Sequence, residues 1–255
     1  MLIQEIALRV REIVQWIFLI PVLCGSVYVV LCSIAVIRLR IRPPDRDAPS
    51  RLRSWPPVTI LKPVHGREKE LQKNLRSACL QDYPQYQVVF SVQRPDDAAL
   101  PLLKEIQKEF GPDLVTVAVE NCRAGTNGKI NNLIGGLKHA RHDFLVISDS
   151  DVYLERDYLK TIIAPLSDPD VGCSCTLYKA VKANAWFEKM ELLTFNADFV
   201  PNVIFALVSG ASKFCLGASA AIHRSTLDRI GGLEALADYL VEDYEMGRRI
   251  WKMGK

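Results

Sequence analysis

The chain reads as an α/β protein in which a mostly parallel sheet with crossover helices follows one N-terminal transmembrane helix. Three features lead there. No charged residue lies between Ile13 and Ile37, a stretch long enough to cross a hydrocarbon layer of roughly 30 Å at about 1.5 Å per residue. From Val58 to Ser148, short apolar runs alternate with segments whose apolar residues recur at helical spacing, the pattern of strands joined by crossover helices. The run Phe144-Leu145-Val146-Ile147-Ser148 then ends in Asp149-Ser150-Asp151. Two carboxylates are thereby delivered at a strand exit, where open α/β sheets build their binding sites.

The N-terminal run is expected to be retained as an anchor. It continues directly into Arg38, Arg40 and Arg42, whereas a signal peptide has an apolar core of about 7 to 15 residues and then a small-residue cleavage site. Arg38, Arg40, Arg42, Arg46, Arg51 and Arg53 outweigh Arg9 and Arg11, which stand near Glu5 and Glu12. The positive-inside bias therefore puts the following domain in the cytoplasm. The anchor is assigned to residues 1–41, with its span at 13–37. Residues 42–57, rich in Arg, Pro and Asp without an apolar period, read as a juxtamembrane linker, and 58–255 as the domain that follows.

Within that domain, Val58-Thr59-Ile60-Leu61 reads as a strand ended by Lys62-Pro63, and Leu71, Leu75 and Cys79 as a helix stopped before Asp82-Tyr83-Pro84. Strands are expected at Tyr86 to Gln93, Leu114 to Val119 and Phe144 to Ser148. Helices are expected around Leu102, Leu103, Ile106 and Phe110, and around Ile130, Leu133, Ile134 and Leu137. Beyond the acidic pair the regularity weakens to a helix through Tyr158, Ile162 and Leu166 and a strand at Val171 to Leu177. The aromatic stretch from Ala185 to Val208 reads first as a core helix broken at Pro201. A membrane-interface surface is the alternative. Glu188, Glu191, Asp198 and Lys189 argue against a full span.

Composition narrows the function. A 49% hydrophobic content with 24% charge suits a globular chain of 255 residues. The net charge of +3 is small and the basic residues form no stripe with aromatics, so nucleic acid is set aside as a partner. The seven cysteines follow no regular framework, and Cys173-Ser174-Cys175 lacks a second pair at zinc spacing. They read as reduced, structural cysteines.

Four clusters could carry chemistry. Asp149 and Asp151 could share Mg²⁺ or Mn²⁺, which typically takes one or two protein carboxylates and completes its shell with phosphates and water. Asp96-Asp97, after the second strand, could accept hydrogen bonds from a nucleotide, or simply cap the next helix. Gly125-Thr126-Asn127-Gly128-Lys129 leads into a helix whose amides and lysine suit a diphosphate. It is not a P-loop, since Ile130 stands where Ser or Thr would bind Mg²⁺. Glu242-Asp243-Tyr244 opens the last helix; the helix dipole favours acids there, and a carboxylate so placed could also take a proton from an attacking hydroxyl.

Taken together, Leu61-Lys62-Pro63, Asp82-Tyr83-Pro84, Val92-Gln93 with Asp96-Asp97, Gly128-Lys129-Ile130-Asn131-Asn132-Leu133, Asp149-Ser150, Gly231-Gly232 and Glu242-Asp243-Tyr244 resemble ceramide glucosyltransferase and its bacterial relatives, including hopanoid-associated glycosyltransferases. The resemblance covers residues 1–255. It implies a GT-A fold, an inverting transferase, a nucleotide-sugar donor and a lipid alcohol acceptor in the bilayer; with the divalent cation read from Asp149 and Asp151, the main expectation is transfer of a hexose from a UDP-sugar to a lipid hydroxyl. Matched residue by residue, it implies that Asp97 holds the nucleotide, Asp149 the metal and diphosphate, Lys129 the diphosphate, and Asp243 acts as the base. Asp151 completes an Asp-x-Asp where the eukaryotic enzymes resemble Asp-Ser-Gly. The family's Gln/Arg-x-x-Arg-Trp motif, expected after Asp243, is not found before Lys255, so the chain is expected to be truncated within its catalytic domain. Two alternatives stay open: a membrane-tethered domain that binds a nucleotide or partner without catalysis, and the same chemistry on a polyprenyl phosphate or polysaccharide.

Overall fold

The computed structural model describes residues 2–41 and 54–255. The expected linker lies outside the described residues as far as residue 53, and with it Arg42, Arg46, Arg51 and Arg53. Helix α1 (Leu2–Ile41) is followed by β1 (Val58–Pro63), α2 (Leu71–Ala78), β2 (Tyr86–Val92), α3 (Leu100–Phe110), β3 (Val115–Val119), α4 (Gly128–Leu137), β4 (Phe144–Ser148) and α5 (Tyr158–Ile163). Then come β5 (Cys173–Cys175), α6 (Trp186–Thr194), α7 (Val200–Ser209), β6 (Ser219–His223), α8 (Arg224–Arg229) and α9 (Glu242–Lys252). The chain divides into two compact units, Met1–Asp45 with Tyr178–Ser212, and Arg46–Leu177 with Lys213–Lys255.

The larger unit is built on a sheet of order β3-β2-β1-β4-β6-β5. β1 pairs in parallel with β2 and β4, and β2 with β3; β6 runs antiparallel to both β4 and β5. Alternation along each strand sends side chains to both faces. Val58, Ile60, Val88, Phe90 and Val146 pack on one side with residues of α2, α3 and α5; Leu61, Val89, Leu145 and Ile147 pack on the other with residues of α4, α8 and α9. Covering both faces is what a parallel sheet requires. The helices start and stop where local chemistry dictates. Asn127 caps α4 by accepting the Ile130 N–H at 3.1 Å, and Gly111 ends α3 at φ 86°.

Strand order reverses between β1 and β4, because β1 leads outward to β2 and β3 while the next crossover returns to β4. In an open α/β sheet such a switch point leaves a crevice at the strands' carboxyl ends. The β6 strand, not anticipated from the sequence, enters from that same edge: Ser219 pairs with Ser148, and the Asp149 N–H donates to the Ala218 carbonyl at 3.0 Å.

Some expectations need correction. β1 does not stop at Leu61; Lys62 and Pro63 continue it, and Lys62 is fully buried. The strand expected at Val171 to Leu177 shrinks to Cys173–Cys175. The stretch from Ala185 to Val208 is not a core helix. In the smaller unit it forms α6, a π-helical turn at Phe195–Phe199, and α7, with only Ile204 buried among their residues. Trp186, Phe187, Met190, Leu193 and Leu207 are exposed. Both Gln4–Arg40 and Trp186–Ser209 are long and apolar enough to cross a membrane. Within this unit Tyr28 of α1 donates its hydroxyl to Asn202 of α7 and lies edge-on to Phe205, ring centres 5.7 Å apart.

Candidate active site

Asp149 sits where β4 leaves the switch-point crevice, and the loop after it is clamped from below. Lys62 points its ammonium under the loop and donates to the carbonyls of Asp149 at 2.7 Å and Val152 at 3.0 Å. Asn74 of α2 donates to the Asp151 carbonyl at 2.9 Å, and Ser77 accepts the Leu154 N–H at 2.9 Å. Burial pulls the Lys62 ammonium down to about 8, against the opposing pull of Asp149 and Asp151. A lysine carried into a sheet is tolerated because its donors are matched by carbonyls.

Lys129, in the first turn of α4, brings the distant acids together. Its Nζ lies 2.7 Å from Asp149 Oδ1 and 2.9 Å from Glu242 Oε1, and it donates to the Gly217 carbonyl at 3.4 Å. Burial works against this charge, but Asp149 and Glu242 outweigh it and hold the ammonium above its ordinary range. For Asp149, burial raises the carboxyl above the usual carboxylate range; Lys129 opposes this, while Asp151 and Glu242 add to it. Asn127, besides capping α4, donates to the Tyr239 carbonyl at 2.8 Å and to Glu242 at 3.2 Å. The helix start is thereby tied to the start of α9.

Asp243 faces the same group through Gly217. A Cβ on Gly217 would meet Asp243 Oδ2 at 2.6 Å, so only glycine lets the carboxylate lie that close to the chain entering β6. Lys129, Glu242, Asp243 and Gly217 border a small hollow of about 20 Å³, room for about one water. A wider hollow of about 930 Å³ lies against α2, between Arg67, Lys73, Arg76, Tyr153 and Arg156. It contains none of the converging carboxylates.

The structure thus brings Asp149, Lys129 and Asp243 of the expected site residues into one cluster. Asp151 stands two residues beyond Asp149 and is exposed. Asp97 is placed at the same sheet edge but engaged elsewhere. Its nearly buried carboxylate accepts the Gly66 N–H at 3.0 Å and the Ala99 N–H at 2.8 Å, and lies 3.2 Å from His65 Nδ1. It ties the loop after β1 to the loop after β2. Lys62 and Asn127 stand in motifs already named, but their contacts, like Gly217 and the ion-pairing of Glu242, escaped the sequence reading. The one signal available for Lys62 was a lysine continuous with an apolar run.

Asp149 and Glu242 are both paired with Lys129, Asp243 borders the same hollow, and Asp151 lies exposed beside them. Asp149 Oδ1 is buried, with the Lys129 ammonium 2.7 Å away as its charged neighbour. Among the described residues, no three His, Cys, Asp or Glu side chains gather to enclose a metal by themselves. Asp149 and Asp151 could hold one whose other positions go to phosphate oxygens and water.

Residues 17–255 match the sequence model of Glycosyl transferase family 21. The chain belongs to glycosyl transferase family 21. This family 21 chain is 26% identical over 205 residues to ceramide glucosyltransferase 1 of Caenorhabditis elegans, covering 78% of the chain and 43% of the worm protein. It is 31% identical over 172 residues to the ceramide glucosyltransferase of Gibberella zeae, covering 62% of the chain and 32% of the fungal protein. It therefore spans less than half the length of either relative. Among solved structures, the mannosyltransferase PcManGT from Pyrobaculum calidifontis, in complex with GDP-Man and Mn²⁺, superposes with a TM-score of 0.59 at 22% identity, covering 91% of the family 21 chain and 63% of PcManGT. GalNAc-T7 with UDP, GalNAc and Mn²⁺ gives 0.51 at 14% identity, covering 78% and 40%. At these identities the likeness is one of fold, and the fold is GT-A.

Proposed function

We propose that this chain is the donor-binding and catalytic part of a membrane-associated transferase that moves a hexose from a UDP-sugar to a lipid hydroxyl, ceramide-like or hopanoid-like, with inversion. The observation that carries the reading is the convergence of Asp149, Lys129, Glu242 and Asp243 at the switch point of the sheet. The ceramide glucosyltransferases among its relatives support a lipid acceptor, and the Mn²⁺ bound by PcManGT and GalNAc-T7 supports a divalent cation.

In this reading Asp149 and Asp151 would hold Mg²⁺ or Mn²⁺, which when bound would supply positive charge to the departing diphosphate. Lys129, paired with Asp149 and Glu242, would turn its ammonium to the phosphate oxygens of the donor. Asp97 braces the loops after β1 and β2 around the nucleotide. Asp243 takes the proton of the acceptor hydroxyl as its oxygen attacks the anomeric carbon from the face opposite the diphosphate, so the configuration inverts without a covalent sugar intermediate. The two apolar helical stretches keep the unit tethered to the bilayer, and the arginines after α1 favour a cytoplasmic site.

The test is transfer of radiolabelled glucose from UDP-glucose, with Mn²⁺, by the full chain in lipid nanodiscs containing ceramide, hopanoid or polyprenyl phosphate. Labelled ceramide or hopanoid is expected. Asp243→Asn should lower its formation by about 10² to 10⁴-fold while UDP binding persists, and Asp149→Asn should abolish the Mn²⁺ dependence of UDP binding. Folded protein that binds UDP but labels none of the lipids would leave the non-catalytic reading in its place.

A further inference from the structure

Behind the base-bearing helix lies a group of thiols that the proposed chemistry does not use. Cys173, at the start of the edge strand β5, and Cys215, in the chain leading to β6, have their sulfurs 3.2 Å apart, with the Cys215 thiol donating to Cys173 Sγ. Cys215 is buried at 6% exposure, whereas Cys173 is partly exposed. Cys215 is mechanically linked to the site. Its backbone N would lie 2.4 Å from a Cβ on Gly247, so the chain at Cys215 rests directly on α9 one turn beyond Asp243. Two residues further on, Gly217 contacts Asp243 and Lys129.

We propose that Cys173 and Cys215 form a redox-active dithiol, a modification site whose closure to a disulfide by a low-molecular-weight disulfide such as glutathione disulfide displaces the Cys215–Gly217 segment from α9. The partly exposed Cys173 accepts the hydrogen bond and is the attacking sulfur. Contact with Cys173, and then burial, holds the Cys215 thiol above its ordinary range, in keeping with its role as donor. The Cys173 thiolate attacks one sulfur of the oxidant and expels one glutathione thiolate, leaving a mixed disulfide. The expelled glutathione thiolate takes the Cys215 proton as the Cys215 sulfur attacks the Cys173 sulfur and expels the second. The two protons lost by the protein thiols go to the glutathione thiolates or water, and the two electrons reduce the oxidant's S–S bond. Cys175, on the same strand, also neighbours Cys215, and that contact and then burial raise its thiol above the ordinary range; the hydrogen-bond geometry places Cys173 rather than Cys175 against the Cys215 sulfur. In a reducing cytoplasm the pair stays open.

The experiment equilibrates the full chain in nanodiscs against glutathione buffers of increasing disulfide fraction, blocks remaining thiols with N-ethylmaleimide, and maps cross-linked peptides by mass spectrometry. Hydrogen exchange is read in parallel over residues 214–217 and 243–247. A Cys173–Cys215 cross-link is expected in the natural sequence and in Cys175→Ser but not in Cys173→Ser, with faster exchange in both segments on oxidation and reversal by dithiothreitol. No cross-link at any ratio, a Cys175–Cys215 cross-link instead, or a cross-link that leaves exchange unchanged would each overturn the proposal. These readouts do not depend on the proposed transfer. If that activity is also present, oxidation should lower it roughly ten- to a hundredfold, and Cys173→Ser should be insensitive.

Discussion

At the scale of single residues, the site depends on two positions whose importance lies in what surrounds them. Gly217 leaves space for the Asp243 carboxylate, since a Cβ there would come within 2.6 Å of Oδ2. Gly217→Ala should therefore lower kcat by about tenfold or more with little change in donor KM; an unaltered kcat would mean that Asp243 is not held there for chemistry. Lys62 supports the acidic loop from beneath. Lys62→Met keeps the stem but leaves two carbonyls without their donor, and should destabilise the fold by about 1–3 kcal/mol, read as a lower thermal midpoint in detergent. A variant as stable as the natural sequence would show that water replaces the ammonium. The positions of Asp149, Asp151, Lys129 and Asp243 at strand exits and helix starts were legible in the sequence, while the roles expected of them came from the family resemblance; Asp151 lies exposed beside the cluster. The contacts of Lys62 were not legible, because a lysine before a proline reads as the end of a strand until its partners, 87 and 90 residues away, are known.

At the scale of elements, α4 and α9 act as one support. Asn127 caps α4 and also holds the turn before α9 through Tyr239 and Glu242. Asn127→Ala should lose about 0.5–2 kcal/mol from the cap alone. Weaker UDP binding is also expected, because Lys129 sits in the first turn that the cap fixes. Weaker stability with unchanged UDP affinity would reduce Asn127 to a cap. Further along α9, Glu245 is paired with Arg248 and Arg249 at 2.6 and 2.7 Å. Arg248 first, then Arg249, holds its carboxyl down at about 2, from an ordinary 4.5. A carboxyl depressed in the folded state contributes stability above its unfolded pKa and loses it as pH falls toward the folded value. The contribution is therefore whole above pH 4.5 and fades toward pH 2. Glu245→Gln should be less stable than the natural sequence at pH 6 and converge with it near pH 2; parallel curves would mean the pairs contribute nothing. Helical and strand periodicity made most of these elements readable. β6 was missed because Ser219-Ala220-Ala221-Ile222-His223 carries neither alternation nor β-branched enrichment, and becomes a strand only by pairing with β4.

At the scale of the whole molecule, one chain combines a GT-A sheet with two helical stretches able to cross a membrane. The chain should stay in the membrane pellet after alkaline carbonate extraction, and release into the supernatant would count against both stretches as spans. The sequence alone determined the N-terminal apolar helix, the alternation of strands and helices, and the acids at the strand and helix ends. Each is written in a window of a few to some twenty neighbouring residues, where periodicity and charge suffice. Tertiary structure alone decided that Lys129 joins Asp149 to Glu242, that Gly217 seats Asp243, and that Cys173 meets Cys215. These follow from the reversal of strand order beside β1 and the antiparallel entry of β6. Both bring together residues far apart in the chain, and no local pattern encodes such a meeting.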